Sequence, residues 1–449
     1  MSLFNKVLIA NRGEIARRII KTCDRLGIKT VAIYSEADAD APFVNEATET
    51  VCIGEAQAKK SYLNIEKVIQ VAKETNADAI HPGYGFLSEN PKFVTRCEEE
   101  GITFIGPSAS VMKLMGNKVA SRIKMHDAGI PVVPGSERNL ENIEEALAAA
   151  DRIGYPLMLK ASAGGGGIGM KLIHTDDELK QNFDSTKQQA QNFFGDDTVF
   201  IEKFITDPHH IEVQVAVDGH ENIVHLFERE CSVQRRHQKV IEEAPSPFLN
   251  DELRQELFAT AIKAVKSIDY KNVGTIEFIF DSDGNFYFLE MNTRLQVEHP
   301  VTEKITGLDL VEWQIKIAAG KSLPLAQNEI TAHGHAIECR VYAEDPNTFF
   351  PSPGKINSLE LAEDLARYDF GVEQGTDVSP FYDPMIGKII VHGENRNEAI
   401  AKAKAAINAT KIEGIKTNLP LQASIMDDDI FKSGNYTTNF LAERKTVTF

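Results

Sequence analysis

Two apolar runs around Thr275–Phe280 and Phe286–Met291 flank Asp283-Gly284, and such a pair between apolar runs is the strongest short-range hairpin signal. With Asp283-Gly284 as the turn centre, Glu277 faces Glu290 across the ladder, the Cβ atoms roughly 5 Å apart. Two carboxylates at that separation repel by about 3 kcal/mol at an effective dielectric of ~20. A sheet does not place them there for stability. A hard dication such as Mg²⁺ reverses the sign, because it takes carboxylate oxygen and is commonly shared with phosphates. The period-two rule then puts Glu290, Asn292, Arg294, Gln296 and Glu298 on one side for as long as the chain stays extended. A solvated face is the ordinary alternative, weakened because Phe286 and Phe288 fall on the same side by that parity. The pattern favours a metal–phosphate site.

The chain around this hairpin has 449 residues, room for about three domains. Lys and Arg number 48 against 66 Asp and Glu, a formal charge of −18, which argues against a nucleic-acid footprint and disfavours an anionic membrane surface. Positive residues inside motifs therefore carry extra weight. The five cysteines, Cys23, Cys52, Cys97, Cys231 and Cys339, are scattered and lack C-x-x-C spacing, which fits a reducing cytoplasm. No signal-peptide core and no membrane-spanning apolar run is present, so a cytoplasmic location is expected.

Lys6–Ala10, Glu14–Leu26 and Thr30–Tyr34 read as strand, helix and strand, a parallel α/β opening. Its first loop lacks the G-x-G-x-x-G of a dinucleotide fold. Helices follow to Gly129, with another at Asn142–Ile153. Short strands at Leu157–Lys160 and Met170–Ile173 bracket a glycine loop, and from Thr198 the pattern is β-rich apart from a helix at Asp251–Ile268. Breaks near 114, 132, 203 and 330 divide the chain into an N-terminal α/β unit (1–114), a central unit (115–330) with a 132–203 lid, and a β-rich C-terminal unit (331–449).

Four consecutive glycines, Gly164–Gly167, with Gly169 nearby, let backbone N–H groups approach a phosphate without Cβ clashes. Met170 follows where a P-loop needs lysine, so the run reads as a hairpin lid over ATP phosphates with Lys160 aimed at them. Thr198–Ile205 is a strand ending in a hinge that could offer backbone groups to adenine, or an internal strand only. Glu228–Lys239 sets a basic cluster in an acidic protein, with His237 and Lys239 sharing parity if extended. It reads as a phosphate or bicarbonate pocket, or as a surface cluster paired with Glu242 and Glu243. Arg340 alternates with apolar residues, as an oxyanion stabiliser or as half of a cross-strand salt bridge. His81–Asn90 is a Gly/Pro loop whose chemistry is not legible on its own.

These motifs together resemble the biotin carboxylases of the ATP-grasp superfamily over nearly the whole chain. The resemblance rests on N-R-G-E-I-A at Asn11–Ala16, H-P-G-Y-G-F-L-S-E-N at His81–Asn90, the glycine loop, C-S-V-Q-R-R-H-Q-K at Cys231–Lys239 and E-M-N-T-R-L-Q-V-E-H-P-V-T-E at Glu290–Glu303. A-E-D-P at Ala343–Pro346, P-S-P-G-K at Pro351–Lys355 and Y-D-P-M-I-G-K at Tyr382–Lys388 complete it. The fold implied is an N-terminal parallel α/β domain, an ATP-grasp domain with a glycine-rich lid, and a β-rich C-terminal domain. The roles implied are ATP-phosphate binding by Lys118 and Lys160 under a lid containing Gly166 and Gly167. Glu202, Lys203, Phe204 and Ile205 would form the adenine hinge, and His210, Gln234 and His237 would line the nucleotide pocket. Glu277, Glu290 and Asn292 would hold Mg²⁺ or Mn²⁺, and Lys239, Arg294, Gln296 and Val297 would hold bicarbonate. Glu298 would be the general base and Arg340 would steady the biotin enolate, with Lys239 and Arg294 as further catalytic groups. Ile168 departs from the basic residue usual at that lid position.

The implied reaction is ATP-dependent carboxylation of biotin by bicarbonate through carboxyphosphate, the first half-reaction of acetyl-CoA carboxylase in fatty-acid synthesis. A propionyl-CoA or pyruvate carboxylase subunit, another ATP-grasp carboxylate–amine ligase and a catalytically silent nucleotide sensor are the alternatives. Neither an A-M-K-M-like biotin-attachment turn nor a carboxyltransferase domain follows the family's core in this sequence, so a separate biotin carboxyl carrier protein and carboxyltransferase subunits are the expected partners, with the chain itself a homodimer.

Overall fold

A computed structural model describes residues 3–136, 138–162 and 169–444. Gly166, Gly167 and Ile168 of the lid lie outside the described residues. Strands β1 (Lys6–Ile9), β2 (Lys29–Ser35), β3 (Glu49–Gly54), β4 (Ala79–His81) and β5 (Thr103–Phe104) form a parallel sheet in the order β3-β2-β1-β4-β5. β1 is buried on both faces, with Val7, Leu8 and Ile9 at 0% exposure, as the apolar run requires of a covered parallel strand. Helix α1 (Gly13–Arg25) covers one face through Ile15, Ala16, Ile19, Ile20 and Cys23. No helix among the described residues is long and apolar enough to cross a membrane.

The lid is a small antiparallel sheet of β6 (Leu157–Ala161), β7 (Met170–Ile173) and β8 (Val199–Lys203), in the order β7-β6-β8. The helix Asp176–Phe194 backs it, and the sequence pattern missed this helix because its apolar stripe is narrow: Leu179, Phe183 and Ala190 with Thr186 between.

The rest is organised by one eight-stranded antiparallel sheet. It runs β13 (Phe286–Asn292), β12 (Asn272–Phe280), β9 (His209–Val217), β10 (Ile223–Arg235), β11 (Gln238–Ala244), β14 (His335–Tyr342), then Met385–Gly393 and Arg367–Phe370. Pairing of β11 with β14 carries the sheet across residue 330 without a break.

The key hairpin departs from expectation in an instructive way. Its turn is the five-residue loop 281–285, with Phe280 paired to Phe286, not a two-residue turn at Asp283-Gly284. Asp281 closes the loop by accepting the N–H groups of Asp283 and Asn285. A bulge at Leu289 then adds one residue to β13, and Glu277 does pair with Glu290. The same bulge overturns the parity of the phenylalanines. Phe286, Phe288 and Met291 pack with Ile276, Phe278 and Phe280 against the helix Asp251–Ser267, on the face opposite Glu277 and Glu290. The polar face and the core face are therefore cleanly separated.

Candidate active site

β9 sends His210, Glu212 and Gln214 to the face that Glu277 occupies, while Ile211, Val213 and Val215 enter the core. Arg229, fully buried opposite Glu212 in the ladder, donates to Glu212 Oε1 at 2.6 Å, Gln214 Oε1 at 2.7 Å, Thr302 Oγ1 at 2.9 Å and Thr275 Oγ1 at 3.1 Å. Lys239 Nζ then spends its three donors on three carboxylates: Glu212 Oε2 at 2.6 Å, Glu277 Oε1 at 2.9 Å and Glu298 Oε1 at 2.6 Å. Burial alone would strip Lys239 of its proton, but the surrounding anions hold it well above the usual ammonium range.

Glu298 sits at the N-cap of the helix His299–Thr306, fully buried. Lys239 holds one of its oxygens and Arg340 Nη2 the other, at 2.9 Å. Burial pushes its carboxyl up, and Lys239 and Arg340 overcome that and keep it ionised far below the usual range. Glu277 behaves alike: burial opposes its charge, and Lys239 and His210 override it. His210 bonds Glu277 Oε2 at 2.9 Å through Nε2 and Gln234 Nε2 at 2.7 Å through Nδ1. Burial would discharge His210, and the Glu277 carboxylate raises it instead.

β13 ends at Asn292, so the period-two rule lapses there, yet the next polar side chains still converge. Asn292 Nδ2 reaches Glu277 Oε1 at 2.8 Å, and Gln296 Nε2 reaches the same oxygen at 2.9 Å. Arg294 donates to Asn292 Oδ1 at 2.9 Å and to Glu89 Oε2 at 3.0 Å. The Val297 carbonyl accepts from the buried Lys388 Nζ at 2.9 Å. Three residues of this floor were not singled out from sequence. Glu212 carried a usable signal, the alternation of His210, Glu212 and Gln214 with apolar neighbours; Arg229 was quoted only within a basic run; Glu89 lies 205 positions from its partner.

The nucleotide end is looser. Lys118 Nζ stands 3.9 Å from Glu290 Oε2, both side chains about a third exposed at 32% and 39%. Lys160 makes a close ion pair with Glu202 inside the lid. Lys203 turns its side chain to the carbonyls of Gly154 and Tyr155, and the N–H of Phe204 bonds the Pro156 carbonyl, so these hinge groups brace the lid. Ile205 follows directly after β8. The expectation that His237 and Lys239 share a side on extended chain fails. Arg236 and His237 both have positive φ (50° and 66°) and form the two-residue turn between Arg235 and Gln238. His237 thus stands exposed at the rim, its pKa lowered by partial desolvation from nearby protein and by the positive charges of Lys160 and His210.

Glu277, Glu290 and Asn292 offer oxygen donors of the kind a hard dication takes, but only Glu290 opens to the rim; Glu277 Oε1 is held by Lys239, Asn292 and Gln296, and Asn292 Oδ1 by Arg294, contacts an ion would have to replace. Two tighter groups, His210–Glu212–Glu277 and Glu212–Cys231–Glu298, hold their potential ligand atoms within 4.8 Å. Lys239 already neutralises both, so neither calls for a metal. A cavity of about 1120 Å³ lies elsewhere, between α1 and the 359–374 segment, and is lined in part by ion-paired side chains such as Arg18, Glu303 and Arg367. There Arg18 and Arg367 share Glu303, whereas on the floor Lys239 and Arg340 converge on Glu298.

Three family models match in succession: the biotin carboxylase N-terminal domain over 3–112, the carbamoyl-phosphate synthase L chain ATP-binding domain over 117–326, and the biotin carboxylase C-terminal domain over 338–443. Fold and site define an ATP-dependent carboxylase built on an ATP-grasp core. Biotin carboxylase 2 of Bacillus subtilis (strain 168) is 58% identical over 98% of this chain and 100% of its own length. The biotin carboxylase–beta-gamma-ATP complex of Campylobacter jejuni superposes with a TM-score of 0.96 at 48% identity, covering 98% of this chain and 99% of that one. The biotin carboxylase domain dimer of Hydrogenobacter thermophilus 2-oxoglutarate carboxylase, with MgADP, ADP and bicarbonate, gives a TM-score of 0.95 at 47% identity over 99% and 98% of the two chains. The chain belongs to the biotin carboxylase family.

Proposed function

We propose that this protein carboxylates biotin on a separate carrier protein at the expense of ATP and bicarbonate, the first half-reaction of an acetyl-CoA carboxylase in the cytoplasm. The observation that carries the reading is Glu298, an ionised and water-excluded carboxylate held between Lys239 and Arg340. In this reading Lys239, Arg294, Gln296 and the Val297 backbone hold bicarbonate beside it. A bound anion draws on the charge of Lys239 and so raises the proton affinity of Glu298 when a base is needed.

Glu298 takes the proton of bicarbonate, and the freed oxygen attacks the γ-phosphorus of ATP, giving carboxyphosphate and ADP. Lys118, Lys160 and the glycine lid with Gly166 and Gly167 hold the phosphates, beside Glu202, Lys203, Phe204, Ile205, His210, Gln234 and His237 at the nucleotide. Glu277, Glu290 and Asn292 hold Mg²⁺ or Mn²⁺, which when bound supplies charge neutralisation to the phosphates. Such transfers depend on positioning and charge neutralisation, which these residue types supply. Carboxyphosphate splits to CO₂ and phosphate, and that phosphate removes the N1 proton of biotin. N1 then attacks CO₂ while Arg340 stabilises the ureido oxygen.

The test is ATP cleavage by the purified chain: cleavage that requires bicarbonate and rises with free biotin is expected. Cleavage indifferent to bicarbonate points instead to another ATP-grasp ligase. The final acceptor is set by partner subunits, and co-purification of a carrier and an acetyl-CoA carboxyltransferase is the expected result. Sedimentation should give a homodimer, the state named for the Hydrogenobacter relative.

A further inference from the structure

Behind Arg340 lies a pair of carboxyls that the reaction above does not use. Glu242 on β11 and Glu338 on β14 are direct ladder partners, so their side chains leave the sheet on one face with Cβ atoms roughly 5 Å apart. Both are fully buried, and none of their four oxygens has a hydrogen-bond partner among the described residues. Two buried carboxylates this close, with the Arg340 ion pair on Glu242 as their one close cation contact, cannot both stay ionised away from water. One of them keeps a proton.

Geometry decides which. Arg340 Nε stands 2.5 Å from Glu242 Oε1, a charge-on-charge contact that favours the anion there. Glu338 has no cation at that distance. The ammonium of Lys388 on the neighbouring strand is committed to the Val297 carbonyl and, at 3.1 Å, to Glu14. The other charged or titratable groups near the pair are Lys239, Glu298 and Cys231 on the site side, Cys339 and Tyr342 on β14, and Tyr84 beyond Glu338. Burial raises both carboxyls, with Arg340 pulling Glu242 back and Lys388 pulling less effectively on Glu338.

Arg340 is therefore gripped at two ends, Nε by Glu242 and Nη2 by Glu298. Its main-chain carbonyl is fixed as well, by Asn418 Nδ2 at 2.9 Å and by Gln422 Nε2 at 2.5 Å. We propose that Glu242 and Glu338 are positioning residues for Arg340: ionised Glu242 anchors the guanidinium from behind, and neutral Glu338 keeps the pair at one negative charge. The idea rests on the functional reading above. When Glu298 takes the bicarbonate proton it loses its charge and its hold on Nη2. Glu242 retains Nε, so Arg340 hands Nη2 from Glu298 to the ureido oxygen without losing its aim.

The experiment compares E242Q and E338Q in the full chain, measuring bicarbonate-dependent ATP cleavage and carboxylation of free biotin across pH. In E242Q the ratio of biotin carboxylation to ATP cleavage should fall about 100-fold, the cost of a small misplacement of a reacting group. In E338Q the amide copies the neutral acid, and the ratio should hold within about threefold while the alkaline limb of the carboxylation profile moves to higher pH. E242D retains the charge but withdraws it by one methylene, and should fall between wild type and E242Q. It also serves if E242Q does not fold, and a wild-type ratio in E242D then overturns the proposal. A normal ratio in E242Q, or a loss in E338Q as deep as in E242Q, overturns it too. Failure of the functional reading looks different: the wild-type chain would then show no bicarbonate-dependent cleavage at all.

Discussion

Lys239 and Lys118 both face carboxylates of the same hairpin, yet they belong to different kinds of structure. Lys239, 11% exposed, has three carboxylates within 2.9 Å. Lys118, 32% exposed, stands 3.9 Å from one. Charges on the floor are committed to one another and act as scaffold, holding Glu298 ionised and aimed. Charges on the rim have little to lose when a phosphate arrives. Lys160 lies between the two cases, paired with Glu202 inside a lid that forms its own sheet. The lesson is that an ion pair's value depends on desolvation: the buried cluster cannot lose a member without stranding a charge, whereas the rim pair is screened by water.

The sharpest way to break this contrast is E298Q. The variant should lose about 10³-fold or more of bicarbonate-dependent ATP cleavage while binding ATP almost as before, because the proposed base sits on the floor, away from the rim proposed to hold the phosphates. Undiminished turnover would remove Glu298 from the mechanism. Next comes K239M, which strands Glu212, Glu277 and Glu298 without their cation. It should cost about 3–5 kcal/mol in urea unfolding. The rim counterpart, K118M, should change stability by no more than about 0.5 kcal/mol and instead raise the KM for ATP about tenfold. Equal stability losses in the two variants would erase the floor–rim distinction.

The smallest effect lies outside both regions, at the end of β4. His81, fully buried there, accepts from the Gly83 N–H at Nδ1 and faces Gln314 Oε1 at Nε2 (3.1 Å each), a neutral arrangement. Burial lowers its pKa to about 3. The unfolded chain, with an ordinary histidine, binds the proton first, so the stability His81 lends is intact above about pH 6.5 and is lost as pH falls toward 3. H81Q should flatten the decline of Tm between about pH 7 and 5 by a few degrees. An unchanged slope would mean that other groups set it.

Much of this site was legible because side chains alternate along any regular stretch of strand, whatever packs on it. Glu277 and Glu290 face each other as the sequence implied, although two irregularities cancel to make it so: a loop longer than the D-G signal suggests, and the Leu289 bulge. Neither leaves a mark in composition, and without the bulge Glu290 would point into the phenylalanine core. The parity of His237 failed for the converse reason. Arg236 and His237 adopt left-handed turn geometry that only the hairpin partner enforces. Glu89 and Glu242 could not be assigned roles from local pattern, since each acquires its arginine through a contact between segments far apart in sequence, Arg294 and Arg340. The helix Asp176–Phe194 escaped because a solvent-facing helix needs only one thin apolar stripe to dock.

The central claim is that the opposed pair Glu277 and Glu290, with Asn292, holds a divalent cation that ties ATP to the sheet. Its most direct test is calorimetric: the affinity for ATP with and without Mn²⁺, in wild type and in E290Q, the half-exposed member whose loss least disturbs the fold. Mn²⁺ should strengthen ATP binding in the wild type, and E290Q should forfeit most of this gain. The full metal-dependent gain persisting in E290Q would contradict the claim.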